Sequence, residues 1–130
     1  MGDYLMSLIK ANNITNTTGG IPTVKGQKLI PTAWASFQSS GTVAIQDSEN
    51  ISSITDSGTG LWKPNFTTTM ANTNYAMAVT TSSTSGSHND NTSIAYSRST
   101  SQFTIIVSRA SSGATTDANQ TYFVVMGGQS

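Results

Sequence analysis

The sequence predicts an all-β fold, an antiparallel β-sandwich or jelly roll of about eight short strands preceded by an N-terminal arm. From residue 33 onward apolar residues tend to recur at every second position, which is the period of a strand that buries one face. Residues that favour turns interrupt these runs at the spacing found in sandwiches and jelly rolls. No long segment shows the 3.6-residue apolar period that would indicate a helix.

Composition narrows the functional classes. The chain has 130 residues, of which 41 are Ser or Thr, and its six basic residues balance its six acidic ones. A net charge of zero offers no basic surface for phosphate groups, so we expect no nucleic-acid partner. No apolar run approaches the roughly 20 residues that cross a bilayer, so we expect no membrane insertion. The absence of cysteine excludes disulfides and thiolate chemistry.

The apolar content is low for a folded domain. Leu, Ile, Val and Phe together account for only 24 residues. Their grouping into short runs still favours a folded chain over a disordered one, because a disordered polar sequence would not show such runs. A thin core buries little apolar area to offset the loss of chain entropy on folding. We therefore expect contacts with neighbouring subunits to bury more apolar area.

Residues 1–30 are predicted to form an N-terminal arm, and residues 31–130 the sandwich domain. The arm begins with a short apolar cluster that includes Leu5, Leu8 and Ile9, and a turn-rich stretch follows at Asn12–Gly20. The cluster is too short to fold alone, so the arm should be ordered only where it docks. We therefore expect Leu5, Leu8 and Ile9 to make anchoring or intersubunit contacts.

The strands of the sandwich domain are separated by turn signals and by two longer polar loops. Residues 47–50 are predicted to be a turn. Pro64 lacks an N–H group, so its strand should lie at a sheet edge or contain a bulge. Polar loops are expected at 82–91 and 110–119. The predicted strands cover residues 33–37, 42–46, 51–55, 61–68, 75–79, 92–98, 102–109 and 120–126.

The last two predicted strands are apolar on both faces. In one strand Ile106 opposes the apolar side chains at 103, 105 and 107, and in the other Phe123 and Val125 oppose those at 122, 124 and 126. Since a sandwich buries only one face of each strand, a second copy of the chain or the arm must cover the other face. Ile106, Phe123 and Val125 are therefore the expected oligomer contacts.

Candidate catalytic groups are few. Asp47 and Glu49 are two residues apart, so on an extended strand they would share a face about 6.5 Å apart, a separation that suits a glycosidase. The simpler interpretation is a solvated turn, and we expect no enzymatic activity. Five aromatic residues could stack on sugar rings, but most lie on the apolar side of their strands, which favours core packing. They are Trp34, Trp62, Tyr75, Tyr96 and Tyr122.

A run of short motifs is recognisable between residues 7 and 80. These motifs occur in the order and spacing of a module found in tail-fibre C-terminal regions and small virion-surface proteins of tailed bacteriophages, which this chain resembles. The stretch Leu61–Pro64 departs from the module, whose strand there is regular and free of proline. The motifs are Ser7–Ile14, Gly19–Gly20, Trp34–Phe37, Gly41–Ser48, Ile51–Gly60, Asn65–Met70 and Asn74–Val79.

The resemblance implies a homotrimeric virion protein, made in the host cytoplasm and located on the virion surface. One expectation is a tail-fibre or receptor-binding tip that contacts host-surface polysaccharide. A second is a capsid decoration protein attached to the shell by residues 1–30. In either case the partners would be other virion proteins of the tail or capsid. A third expectation, of another class, is a glycan hydrolase built on Asp47 and Glu49.

Polar loops on a rigid scaffold are the expected recognition elements, because hydroxyl and amide groups adapt their hydrogen bonds to glycans. His88 is the only histidine, and three copies meeting at an axis could place three imidazoles around a metal. A single ligand type without supporting groups makes a weak site, so we expect an exposed imidazole and no metal or cofactor. The predicted glycan contacts are Ser83, Ser87, His88, Asn89, Asp90, Asn91, Thr115, Asp117 and Asn119.

Overall fold

The computed structural model describes residues 23–24, 27–28, 30–82 and 91–129. The chain divides into two compact units, Met1–Ile30 and Pro31–Ser130. In the first unit β1 (Thr23–Val24) pairs with β2 (Gln27–Lys28) as a short antiparallel ladder. The predicted anchor residues Leu5, Leu8 and Ile9 lie outside the described residues.

The second unit contains two four-stranded antiparallel sheets, and no helix occurs among the described residues. Sheet one has the order β4-β3-β10-β7, and sheet two has the order β5-β6-β9-β8. This confirms the predicted all-β fold and its eight-stranded, sandwich-like organisation. The strands are β3 (Ala33–Gln38), β4 (Ala44–Glu49), β5 (Ile51–Asp56), β6 (Leu61–Phe66), β7 (Tyr75–Ser82), β8 (Asn91–Tyr96), β9 (Thr104–Arg109) and β10 (Gln120–Gly127).

One core lies between the sheets and is dominated by aromatic side chains. Adjacent rings of a continuous series have centroid separations from 5.1 to 6.4 Å, and most of these contacts are edge-to-face. Such contacts add stability beyond the burial of apolar area. This series allows a chain with few aliphatic residues to fill its interior. Its members are Trp62, Phe37, Phe123, Phe103, Phe66 and Tyr75.

The predicted turn at residues 47–50 is wrong for all but its last residue. Residues 47–49 belong to β4, and Asn50 alone forms the corner to β5 with a φ of 55°. Asn tolerates this left-handed conformation better than most residues do. Its side chain also holds neighbouring segments, because Nδ2 donates to the carbonyls of Thr32 and Thr68 and Oδ1 accepts from the Thr68 N–H.

Pro64 does not mark an edge strand. It is fully buried in β6, which lies between β5 and β9. The predicted irregularity is nevertheless present, because the β6–β9 ladder has only two regular pairs, Leu61 with Ile106 and Trp62 with Ile105. Beyond them Phe103 N–H donates to the Pro64 carbonyl at 3.4 Å, and Pro64 has no N–H with which to complete the exchange.

The two faces of β10 require a correction. Phe123 and Val125 are 2% and 0% exposed and lie in the core of this chain, so they are not available to a neighbouring copy. Their cross-strand partners Ala35 and Ala33 are also buried, and directly opposed residues share a face. The outer row of β10 is formed by its even-numbered residues instead. Ile106 does lie on the outer face of β9, where it is half-buried.

Candidate functional site

The outer face of sheet one carries aromatic side chains that are not part of the core. Val124 lies between Trp34 of β3 and Ala78 of β7, and Tyr122 lies between Ser36 and Thr80 of the same two strands. Because directly opposed side chains share a face, these two rows run across three strands on one surface. An open groove of about 410 Å³ lies over these rows. We call this surface, with its six outward residues, the sheet-one face.

The groove is predominantly apolar, and its walls are aromatic. Trp34 and Tyr122 are half-buried, while Val124 is 40% exposed. The Tyr122 hydroxyl donates to Gln120 Oε1 at 2.7 Å. This bond helps to fix the orientation of the phenol ring. Ser36 and Thr80 place two hydroxyl groups among the apolar side chains. Ligand sites commonly combine an apolar lining with a few oriented polar groups in this way.

Two carboxylates border the groove on the edge strand β4. Glu49 pairs with Trp34 and Asp47 pairs with Ser36, so each acid extends one of the two rows. Both residues are exposed, and Asp47 Oδ1 accepts a hydrogen bond from the N–H of Ser48. Ionised carboxylates only accept hydrogen bonds, so at this position they suit ligand hydroxyl or amine groups. The sheet therefore brings together aromatic rings and acids that are far apart in sequence.

The geometry of this pair bears on the hydrolase hypothesis. Asp47 and Glu49 share a face as predicted, but they are solvent-exposed on an edge strand. Exposed carboxylate oxygens at a strand edge are accessible to the hydroxyl or amine groups of a ligand.

The described residues include only the end of the first predicted recognition loop. Ser83, Ser87, His88, Asn89 and Asp90 lie outside the described residues. Asn91, the last residue of that loop, is the first residue of β8 and pairs with Arg109. Asn91 is half-buried and therefore belongs to a strand, not to the tip of a free loop.

In the second predicted loop the side chains mainly hold the loop in place. Asp117 Oδ1 accepts from the Gly60 N–H at 2.7 Å, and Asn119 Oδ1 accepts from the Ser40 hydroxyl at 3.2 Å. Thr115 forms an isolated antiparallel bridge with Ser108. Thr115 and Asp117 are exposed, so a contact with glycan there stays a prediction.

The outer face of sheet two is apolar as well. Leu61, Ile106 and Ile94 form a row across β6, β9 and β8. Ile94 is 56% exposed, and Tyr96 on the same face of β8 is 45% exposed. Among the described residues, no carboxylate is directly paired with a member of this row. Its chemistry suits packing against another apolar surface more than binding a hydroxylated ligand.

The aromatic residues divide between core and surface. Trp62 and Tyr75 are core residues as expected, whereas Trp34, Tyr122 and Tyr96 lie on outer faces. For Trp34 the alternation of the strand indicates this outward position, because the residues on either side of it, at 33 and 35, belong to the buried face.

Burial also affects one titratable group at the edge of the core. Desolvation raises the pKa of the Tyr75 hydroxyl, partly opposed by the nearby Arg98 guanidinium. The hydroxyl donates a hydrogen bond to the Ser99 carbonyl at 2.8 Å. Within residues 30–82 and 91–129 no three His, Cys, Asp or Glu side chains cluster as metal ligands would. The same part of the chain shows no helix that is long and apolar enough to cross a membrane.

Comparisons with protein-family models, with characterised proteins and with solved structures find no match to this chain.

Proposed function

We propose that this chain is a non-enzymatic structural protein of a tailed-phage virion surface, a tail-fibre or receptor-binding tip that holds a host-surface glycan. The single observation that carries the binding role is the juxtaposition of Trp34 and Tyr122 with Asp47 and Glu49 on the sheet-one face. The virion assignment rests on the sequence resemblance over residues 7–80. The protein would be made in the host cytoplasm and displayed on the assembled particle.

Sugar chemistry fits this surface in two ways. A pyranose ring presents C–H groups on its faces, which pack against indole and phenol rings, and hydroxyl groups around its rim, which donate hydrogen bonds. Trp34 and Tyr122 supply the rings, and Asp47 and Glu49 supply strong acceptors at one side. The groove itself has no ionised residue in its lining. A neutral or amine-bearing polysaccharide therefore fits better than a polyanionic one.

Assembly is the second part of the proposal. The resemblance implies a homotrimer attached to other virion proteins and a jelly-roll form of the sandwich. Outward apolar side chains on both sheets, including Val124 and Ile94, support association with further chains. Covering such apolar rows with another chain is favourable, because it removes apolar surface from water.

A panel of purified bacterial surface polysaccharides tests the binding role. We expect the full chain to bind at least one of them, and Trp34→Ala to weaken that binding roughly tenfold, because one stacking platform is lost. Tyr96→Ala, which removes an exposed ring from sheet two, is the matched control and should bind normally. Equal binding by both variants, or binding by neither variant nor wild type, would contradict the proposal.

The same samples separate binding from hydrolysis. A structural receptor-binding protein should leave the polysaccharide intact over long incubation. Release of new reducing ends that disappears in Glu49→Gln would establish the glycan hydrolase instead. Weaker binding by Glu49→Gln with no release of sugar would support the role of this carboxylate as an acceptor.

A capsid decoration protein is the alternative. The chain divides after Ile30, and in this alternative the part that precedes the sandwich would attach to the shell. Imaging of virions with a tagged copy of this chain distinguishes the two. Tags distributed over the capsid would establish decoration, and tags confined to the tail would support the fibre tip.

A further inference from the structure

A β-bulge in the edge strand β4 decides which face its carboxylates occupy. Ile45 pairs with Phe37, and the next regular pair joins Asp47 to Ser36, so Gln46 is an extra residue in β4. Such a bulge exchanges the faces of the side chains that follow it, because the side-chain period of a strand is two. Bulges of this kind often redirect a side chain beside a functional site.

The bulge turns both carboxylates from the core side to the outer side of sheet one. A ladder continued without the extra residue would place Asp47 opposite Ala35 and Glu49 opposite Ala33, and both alanines are buried in the core. In the structure Glu49 lies opposite Trp34 instead, on the side of the groove. The two acids therefore border the groove because of the bulge.

The charge of sheet one has a single sign. Its four strands contain these two carboxylates and no Lys, Arg or His. The described bases of the sandwich unit are Lys63 in β6, Arg109 at the end of β9 and Arg98 between β8 and β9. Arg98 Nη1 donates to the Tyr75 carbonyl at 2.9 Å, on β7, which is the edge of sheet one farthest from β4. The strands of sheet one therefore supply no cation to balance the acids.

The spacing of the acids suits a ligand with more than one positive charge. Asp47 and Glu49 are two residues apart on one face of β4, which separates them by about 6.5 Å along the strand. Like charges at this separation repel each other, and a cation placed beside them relieves the repulsion. Each acid also continues a row of the sheet-one face, one row with Trp34 and the other with Ser36 and Tyr122.

We propose that the sheet-one face recognises a polysaccharide with protonated amino groups, whose amines on neighbouring sugar units meet Asp47 and Glu49 while the rings pack on Trp34 and Tyr122. This inference rests on the proposed glycan-binding function and narrows its ligand. Uncharged side-chain oxygens accept hydrogen bonds from neutral sugars, whereas an ammonium group gains additional strength from a carboxylate partner. A polysaccharide that carries carboxylate or phosphate groups would be repelled by the same two acids.

A matched pair of ligands tests the role of the amine. Short oligomers of glucosamine carry a free amine on each sugar, and acetylation of those amines removes the charge while the sugar backbone stays the same. We expect the full chain to bind the free-amine oligomers roughly tenfold more tightly than the acetylated ones. This preference should decrease as the salt concentration is raised, because salt screens exposed charges.

Carboxylate variants test where the amines bind. Asp47→Asn combined with Glu49→Gln should bind both oligomers equally, and each single variant should keep part of the preference. Asp56→Asn is the matched control, because Asp56 is an exposed carboxylate on β5 of sheet two and its hydrogen bond from the Gly58 N–H can be kept by asparagine. Its preference should equal that of the wild type. Trp34→Ala should weaken the binding of both oligomers alike, since ring packing does not depend on the amine.

The outcomes distinguish this inference from the proposed function. Equal affinity of the wild type for the two oligomers, a preference that survives in the double variant, or an equal loss in Asp56→Asn would overturn the amine specificity. Binding of acetylated oligomers or of a neutral polysaccharide from the panel, weakened by Trp34→Ala, would still support a glycan-binding role. Failure to bind any free-amine or neutral glycan would contradict both.

Discussion

Asn50 joins the two sheets at a single residue, and its replacement should destabilise the whole sandwich. It forms the corner between β4 and β5 with a φ of 55°. Its side chain also connects the lead-in to β3, through the Thr32 carbonyl, with the segment after β6, through the N–H and carbonyl of Thr68. In Asn50→Ala the corner keeps its conformation but loses all three hydrogen bonds.

The expected magnitude follows from two terms. Three hydrogen bonds in a partly exposed position contribute about 2 kcal/mol together, at the low end of about 0.5–1.5 kcal/mol each. An alanine in the left-handed region adds about 1 kcal/mol. Asn50→Ala should therefore lose about 3 kcal/mol in the free energy of unfolding. Asn50→Gly should lose about 1 kcal/mol less than Asn50→Ala, because glycine adopts this φ without steric cost.

Urea unfolding followed by tryptophan fluorescence measures both values, because the buried Trp62 becomes exposed to solvent on unfolding. Asn72→Ala is the control. The Asn72 side chain accepts one local bond, from the Asn74 N–H, so its loss should cost less than about 1 kcal/mol. A loss below about 1 kcal/mol for Asn50→Ala, or equal losses for Asn50→Ala and Asn50→Gly, would show that Asn50 does not stabilise the corner in this way.

Three further predictions concern the core and one turn. In Gly60→Ala the new Cβ would lie 2.5 Å from the Val107 carbonyl oxygen at a φ of 70°, so we expect a loss of about 3 kcal/mol, against about 1 kcal/mol for the unobstructed Gly113→Ala. Phe103→Ala removes a fully buried ring and should lower the urea midpoint by the equivalent of about 3–5 kcal/mol. Burial raises the pKa of Tyr75 above its unfolded value near 10, so its contribution to the free energy of unfolding is complete below pH 10 and is lost as the pH rises further. Tyr75→Phe should therefore make the free energy of unfolding fall less steeply above pH 10. An equally steep fall in the variant would contradict this prediction.

The sequence was sufficient for the strands and for their all-β class. Each of the eight strands of the sandwich overlaps a predicted one, because alternation of apolar and polar residues is a local property. The error at residues 47–50 has a local cause, since Asp, Ser and Asn favour turns but only Asn50 forms the corner. Pro64 likewise predicted an irregular ladder but could not reveal that its strand is central.

Only part of the candidate site could be predicted from the sequence. Asp47 and Glu49 were recognised as residues that share a face, which follows from the strand period alone. Their proximity to Trp34 and Tyr122 depends on the strand order β4-β3-β10-β7, in which β10 is inserted between strands that come much earlier in the chain. No local pattern contains that order, because it is decided by which pairing buries the most apolar area.

Local sequence is enough to specify short strands that carry more apolar residues than one buried face requires. Which of those residues are buried depends on how the strands pair and pack. In β10 both faces are apolar, so local hydrophobicity does not distinguish them, and the register with β3 turned Phe123 and Val125 inward opposite Ala35 and Ala33. A shift of one residue would have exchanged the two faces, because the side-chain period of a strand is two. The core had space for Phe123 because its opposite partner is small, and Tyr122 and Val124 were left on the outer face as a consequence.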